Sequence, residues 1–335
     1  MPPALRVCGI LNMKTLWIFN PETELALGAD SAFYTPPRNI VDIRRRMALF
    51  PVNFAHSGDA VLLLDAMPDD YWRISPEWLR LAELKGIDIF YVKDQIVWQD
   101  YTASPWGWND MIRRILSEDC PGLKGIPTVN YIKSLRNLAH RKSTIRFLSS
   151  LPPGFTEAIQ MPVIFTSSEE AIEYYRNHPN IFIKAPWSSS GRGVMRTDDL
   201  LPLHVEPWIR GIIRSQGSVI VEPIYEKSLD FATEWMISGN KSEYLGISVF
   251  EASGRGKYHR NFEGTQSDLQ EMIRCHTLLF EPALIHAQSD VLNDIIAPDY
   301  NGPVGIDMMI LKDGRIHPCV EINLRHTMGS VRLYS

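Results

Sequence analysis

The sequence predicts an α/β domain followed by a separate α+β unit, and three observations carry that expectation. Short apolar runs alternate with helical stretches over the first ~130 residues, the signature of a parallel or mixed sheet covered on its faces. A Pro152-Pro153-Gly154 stop then interrupts the pattern. Beyond it the chain reads mainly as strands, closing on a hairpin whose two arms alternate polar and apolar residues.

Length agrees, since 335 residues suggest about two domains at ~150 residues each. A chain of this size buries roughly 75% of its unfolded surface and needs no disulfide or metal staple. With 34 Lys+Arg against 39 Asp+Glu and a net charge of −5, a general nucleic-acid binder is not expected. A local basic site for phosphates is compatible with that balance. No apolar run approaches the ~20 residues that span a bilayer, so no membrane partner is expected. Cys8, Cys120, Cys275 and Cys319 show no CxxC spacing, which argues against a zinc ribbon or a thioredoxin-type motif. Reduced thiols in a cytoplasm are the expectation, with no signal peptide visible. The first twelve residues fit no element, and Met13 opens a clean strand pattern, so Met13 is the expected start.

In order along the chain, residues 15–20, 61–64 and 87–92 read as strands, with helices near 77–85 and 109–117. The first strand runs into Asn20-Pro21-Glu22-Thr23-Glu24. Open α/β sheets bind ligands beyond the carboxyl ends of their strands, which makes Asn20, Glu22 and Glu24 substrate-site candidates. An N-capping turn explains the same residues equally well. Trp106-Gly107-Trp108 is open to the same two readings, cleft or core. A helix over 131–150 ends at the Pro-Pro-Gly stop. Strands follow at 181–185, 218–222, 230–237, 243–251 and 256–260, with helices near 203–215, 267–280 and 289–297.

The segment 302–329 is the most informative. A two-residue Asp313-Gly314 loop competes with a three-residue Lys312-Asp313-Gly314 loop that puts Gly314 in the left-handed region. A one-residue slip moves every side chain of one strand to the other face, so hydrophobic pattern decides. The three-residue loop collects Val304, Ile306, Met308, Ile310, Ile316, Val320, Ile322 and Leu324 on one face. Asp307, Glu321, Asn323, His317 and Arg315 fall on the other. Two carboxylates and an amide oxygen are hard ligands suited to Mg²⁺ or Mn²⁺. A solvated sheet face looks the same, and both readings stay open on these residues alone.

Upstream, residues 181–194 place Lys184 on a strand before the small-residue loop Ser188, Ser189, Ser190, Gly191 and Gly193. Such a loop lets the backbone approach a ligand closely, and Lys184 adds a point charge for phosphate oxygens. An exposed hairpin tip is the plainer account. Residues 218–231 then bring an apolar strand to Glu222-Pro223, where the proline frees backbone groups at a bend, and on to Asp230. That geometry offers adenine a backbone donor and acceptor, with Glu222 near the exocyclic amine and Asp230 near the ribose; a strand-end turn with solvated acids is the alternative. Alternation in 254–261 puts Lys257 and His259 on one face and Arg260 on the other, giving a charge run that is either solvated or turned to an acidic substrate.

In their order along the chain, these pieces resemble the ATP-grasp superfamily over roughly Lys142 to Arg325. The resemblance implies that Lys142 (in AHRKSTIRFL) and Lys184 are the two phosphate-binding lysines and that Ser188–Gly193 cover the phosphates. It implies Glu222 as the hinge acid, Asp230 as the ribose acid, and Asp307, Glu321 and Asn323 as metal ligands. Arg325 completes the E-x-N-x-R form and is implied to stabilise an acyl phosphate or its adduct. The implied architecture is an α/β preceding (pre-ATP-grasp) domain over 13–130, a first lobe with the phosphate loop over 131–221, and a second lobe with the metal site over 222–335. The chain departs from the family pattern in a serine-rich loop, in Arg141 adjoining Lys142 as a rival phosphate contact, and in a short end after Asn323.

The implied activity is an ATP- and Mg²⁺-dependent (or Mn²⁺-dependent) ligase, activating a small-molecule carboxylate as an acyl phosphate for attack by an amine or thiol. Asn20, Glu22, Lys257, His259 and Arg260 are the substrate-contact expectations. A kinase-like phosphotransferase on the same nucleotide site and a non-catalytic ATP-binding regulatory protein are the competing readings. Many such enzymes dimerise through the first domain, so a homodimer is among the expectations, although no self-complementary patch stands out.

Overall fold

The computed structural model describes residues 14–65, 76–92, 94–157, 159–188, 193–198, 202–252, 258–277, 280 and 282–333. The chain divides into two compact units. One takes the residues up to Pro21 together with Thr35–Thr128, and the other takes Glu22–Tyr34 with Val129–Ser335.

The chain enters the first unit on β1 (Lys14–Ile18), passes through α1 (Thr23–Ala29), which belongs to the second unit, and returns in α2 (Arg38–Arg46). Strands β2 (Ala60–Leu63), β3 (Asp88–Tyr91) and β4 (Tyr101–Pro105) follow, with helices α3 (Pro76–Lys85) and α4 (Asp110–Asp119). The four strands form a parallel sheet in the order β3-β2-β1-β4. Alternation sends Leu16, Ile18 and Leu62 to one side, against Ile112 and Leu116 of α4. It sends Val61 and Leu63 to the other, against Leu49, Val52 and Ala82. With both faces covered, β2 is buried along its whole length, as parallel strands are. Asn109 caps α4 by accepting from the Ile112 amide at 3.0 Å.

The second unit holds two antiparallel sheets. The smaller, ordered β5-β8-β6-β7, is built from β5 (Val163–Phe165), β6 (Ile181–Lys184), β7 (Val194–Arg196) and β8 (Val219–Pro223). Ile181, Ile183, Val219 and Val221 pack one face onto α7 (Ser168–Asn177) and α8 (Pro202–Gln216). By alternation, Lys184 and Glu222 belong to the opposite face. The larger sheet is ordered β11-β10-β9-β12-β13, from β9 (Lys227–Ser238), β10 (Lys241–Ala252), β11 (Tyr258–Asn261), β12 (Gly302–Leu311) and β13 (Ile316–Asn323). Helices α9 (Gln266–Arg274) and α10 (Pro282–Ile295) accompany it. Gln288 of α10 accepts from Thr233 at 3.0 Å and donates to the Pro318 carbonyl at 3.0 Å, tying that helix to the apolar face.

The closing hairpin has the three-residue loop. Leu311 donates to the Arg315 carbonyl at 2.8 Å and Gly314 to Leu311 at 3.0 Å, with Gly314 at φ +84°. Elsewhere the expected elements need correction. The single helix over 131–150 is two helices, α5 (Val129–Leu138) and α6 (Lys142–Ser150). The Arg141 amide leaves the helical ladder for the Pro186 carbonyl at 3.2 Å, and the Lys142 amide donates to His140 Nδ1 at 2.9 Å. The helix expected over 267–280 stops at Arg274, and the one expected over 289–297 begins at Pro282. Strands β4 and β5 and helices α1, α2 and α7 were not expected. Most are short or flanked by polar residues that mask their period.

Residues 22–34 join the second unit through side chains the local sequence does not announce. Arg136 of α5 donates to the Leu27 carbonyl at 2.7 Å and lies 3.9 Å over the Trp187 ring. A Cβ on Gly28 would sit 3.1 Å from Trp187 Cβ, so the small residue sets this approach.

Candidate active site

The pairing of β9, β12 and β13 sorts their polar residues into rows on one face of the larger sheet, because residues directly opposite in antiparallel strands point the same way. Asp230 opposes Met309, which opposes His317. Ala232, Asp307 and Glu321 form the next row, and Glu234, Gly305 and Asn323 the one after. An irregularity between Asp307 and Met309 sets three residues of β13 against one of β12 and leaves the facing intact. Arg325 follows just past the end of β13.

This face is half-buried among side chains and is not an open, solvated sheet surface. Arg141, whose side chain is 7% exposed, meets Glu321 Oε1 at 2.8 Å and donates to Ser188 Oγ at 3.0 Å. Arg325 donates to Asn323 Oδ1 at 3.0 Å, to the His326 carbonyl at 2.9 Å, and through Nε to Glu24. Burial, with Glu321 and Glu234 close by, pushes the Asp307 carboxyl up to about 8. Burial likewise raises Glu234 to about 7, although Ser248 and Thr327 each donate to it at 2.9 Å. A Cβ on Gly329 would lie 2.1 Å from Glu234 Oε1 and 2.2 Å from Ser248 Oγ, so only glycine fits under this carboxylate.

On the smaller sheet, Lys184 Nζ meets Glu222 Oε2 at 2.5 Å, both side chains 10% exposed. Gly193 closes the loop after Ser188 at φ +71°, and a Cβ there would come 2.7 Å from Ser188 Cβ. Ser189, Ser190 and Gly191 lie outside the described residues, as does Lys257. Lys142 is exposed and donates to Asn137 Oδ1 at 2.5 Å, away from the cluster that Arg141 joins. Asp230 pairs with Lys227, and burial raises its carboxyl above the ordinary value.

The remaining candidates are dispersed. Asn20 is buried in the first unit, where it donates to the Gly107 carbonyl at 2.7 Å and joins the ends of β1 and β4. Trp106 packs there against Phe19 and Phe50. Glu22 and Glu24, both buried, begin α1 in the second unit. His259 and Arg260 sit on β11, with three strands between them and β13; Arg260 pairs with Glu251 at 3.0 Å on the surface. Glu234 and the position of Glu24 against Arg325 were not singled out from sequence. A period of two from Asp230 to Glu234 in an otherwise apolar strand was the available signal for the first.

Among the described residues, no group of three or more His, Cys, Asp or Glu side chains is arranged to hold a metal ion. The donor set here is two carboxylates and an amide. Asp307, Glu321 and Asn323 fit a hard divalent cation by chemistry, since their oxygens share one face of neighbouring strands. Nor is any helix of the described residues long and apolar enough to cross a membrane.

No protein-family model matches the chain, and no curated protein matches it. Solved structures do. N5-carboxyaminoimidazole synthetase from Staphylococcus aureus, complexed with ADP, is 11% identical over 96% of this chain and 74% of its own, with a TM-score of 0.51. The biotin carboxylase domain of 2-oxoglutarate carboxylase from Hydrogenobacter thermophilus, with MgADP, ADP and bicarbonate, is 12% identical with a TM-score of 0.53. The match covers 96% of this chain and 65% of that one. D-cycloserine synthetase is 12% identical over 82% of this chain and 94% of its own, with a TM-score of 0.50. These are ATP-grasp enzymes, and the chain has the ATP-grasp fold.

Proposed function

We propose that the chain is an ATP- and magnesium-dependent ligase that activates a carboxylate as an acyl phosphate for attack by an amine or thiol. The observation that carries this reading is the polar sheet face, where Asp307, Glu321 and Asn323 lie side by side between the buried Arg141 and the half-buried Arg325. Structural neighbours crystallised with ADP and MgADP support it. In this reading 131–221 is the lobe with the phosphate loop and 222–335 the lobe with the metal site.

Arg141 and Lys184 neutralise the phosphates, with Lys142 in reserve outside the cluster, and Ser188–Gly193 cover them. Glu222 and Asp230 face the nucleoside. Asp307, Glu321 and Asn323 hold Mg²⁺, which when bound polarises phosphate oxygens as a Lewis acid. A substrate carboxylate oxygen attacks the γ-phosphorus and ADP leaves. The nucleophile then attacks the acyl carbon and inorganic phosphate leaves. Arg325, fixed by Glu24 and Asn323, stabilises the charge on the acyl phosphate; a cation already held in place gains most of its effect from that preorganisation. A cytoplasmic setting accords with the free thiols of Cys120, Cys275 and Cys319.

The test is a panel of small acids crossed with amines and thiols, read as ADP release with Mg·ATP. Release that needs both an acid and a nucleophile, with transfer of ¹⁸O from labelled carboxylate to phosphate, is the expected result. A stable phosphorylated product, or no nucleotide binding, overturns the assignment.

A further inference from the structure

We propose that His317 anchors the nucleoside half of the bound nucleotide, through a hydrogen bond from its Nδ1 to base or ribose. The inference rests on the nucleotide reading above and adds a recognition residue to it.

His317 is 2% exposed, and among the described residues its Nδ1 has no hydrogen-bond partner in any other residue. Buried polar atoms in folded proteins are nearly always paired, so an orphaned ring nitrogen marks a place where a partner is expected. Its surroundings say which kind. His317 stands in the row with Met309 and Asp230, at the end of the polar face where β9 begins. Tyr225, in the connection just after Glu222-Pro223, meets the imidazole edge-on with ring centroids 5.5 Å apart. Glu222 and Lys184 are the charges it feels most strongly after burial.

The rows decide the direction in which a nucleotide lies. Successive same-face positions are about 7 Å apart along a strand. Phosphates held at the Asp307–Glu321 row leave the nucleoside either one row towards His317 or one row towards Glu234. The Glu234 end is filled: Ser248 and Thr327 already bond the carboxylate, and Gly329 lies so close beneath it that no Cβ fits. The nucleoside therefore goes over the His317 row.

The chemistry of the nearby charges agrees. Lys184 donates only and Glu222 accepts only, each paired with the other in the unliganded chain, and Asp230 accepts from Lys227. A neutral imidazole offers either a donor or an acceptor, according to its tautomer. Burial holds His317 neutral by lowering its pKa to about 4.

The test compares the full-length chain with His317→Phe, which keeps a ring against Tyr225, and His317→Asn, which restores one polar group. Calorimetric titration uses Mg·ATP, AMP and inorganic tripolyphosphate, with melting temperature as a check on folding. His317→Phe is expected to weaken ATP and AMP binding about tenfold, the scale of one lost hydrogen bond, and to leave tripolyphosphate unchanged. His317→Asn is expected to recover part of the loss. Unchanged ATP affinity in His317→Phe overturns the proposal. An equal loss for ATP and tripolyphosphate also overturns it, since that is the mark of a purely structural role. Absence of ATP binding by the unsubstituted chain overturns the function proposed above and this inference with it.

Discussion

Replacing Lys184 by Met leaves the Glu222 carboxylate, 10% exposed, without the ammonium that sits 2.5 Å from it. Breaking a buried pair by removing one partner costs about 3–5 kcal/mol, because the charge left behind has lost its water as well as its partner. Removing both partners in favour of apolar residues of similar size costs far less. For a unit of about 200 residues, each kcal/mol moves the melting temperature by about 2–4 °C. Lys184→Met is therefore expected to lower the transition of the second unit by about 6–20 °C, and the double variant Lys184→Met/Glu222→Leu to recover most of that. Differential scanning calorimetry without nucleotide reads the stability, and ADP release reads the function. Lys184 also carries phosphate charge in the proposed mechanism, so the double variant should stay inactive while regaining stability. A single variant that melts within 2 °C of the parent refutes the buried-pair argument, and so does a double variant as unstable as the sum of its parts.

Other expectations follow from neighbouring features. His140 is held near pKa 4, first by burial and then by Lys142, Arg136 and Arg141, while the unfolded chain titrates near 6.5. The unfolded state therefore binds more protons between those values. Stability is full above pH 6.5 and falls by about 3 kcal/mol as the pH drops to 4, and His140→Gln should flatten that part of a melting-temperature profile. Gly329→Ala drives a Cβ into Glu234 and Ser248 and should cost about 1–3 kcal/mol, seen as an earlier melt and weakened Mg·ATP binding. Asp307→Asn removes a carboxyl already pushed up by burial and by its acidic neighbours. It should leave the melt unchanged or higher while abolishing the Mg²⁺ dependence of ATP binding. Arg141→Ala should lower turnover about 100-fold, the scale of one lost charge-stabilising donor, with Lys142→Ala within about twofold of the parent. The reverse order would return the phosphate role to Lys142.

Local chemistry explains what was readable in advance. The alternation of β12 and β13 and the Lys312-Asp313-Gly314 loop are short-range features, and together they assigned Asp307, Glu321 and Asn323 to one face before any contact was known. Lys184 and Glu222 were readable from local position, Lys184 on a strand before a small-residue loop and Glu222 at a strand end before Pro223; their shared face away from the helices came from the structure. The break at Arg141 was not readable. A good helical sequence gives way there to a long-range bond from its amide to Pro186, a residue some 45 positions on. Glu234 lay hidden in a buried strand, because its meaning comes from Ser248, Thr327 and Gly329, which reach it from two other parts of the chain.

The sequence by itself determined the closing hairpin's loop and the polar face that two carboxylates and an amide share, because turn geometry and side-chain alternation act over a few residues; the irregularity that sets Asp307 directly opposite Glu321 came from the tertiary structure. Tertiary structure alone decided that Arg141 and not Lys142 turns to Glu321, and that Glu24, some 300 residues upstream, holds Arg325. It also decided that residues 22–34 leave the first unit for the second. Those choices depend on which buried charges find partners across the fold, and no local pattern carries that information.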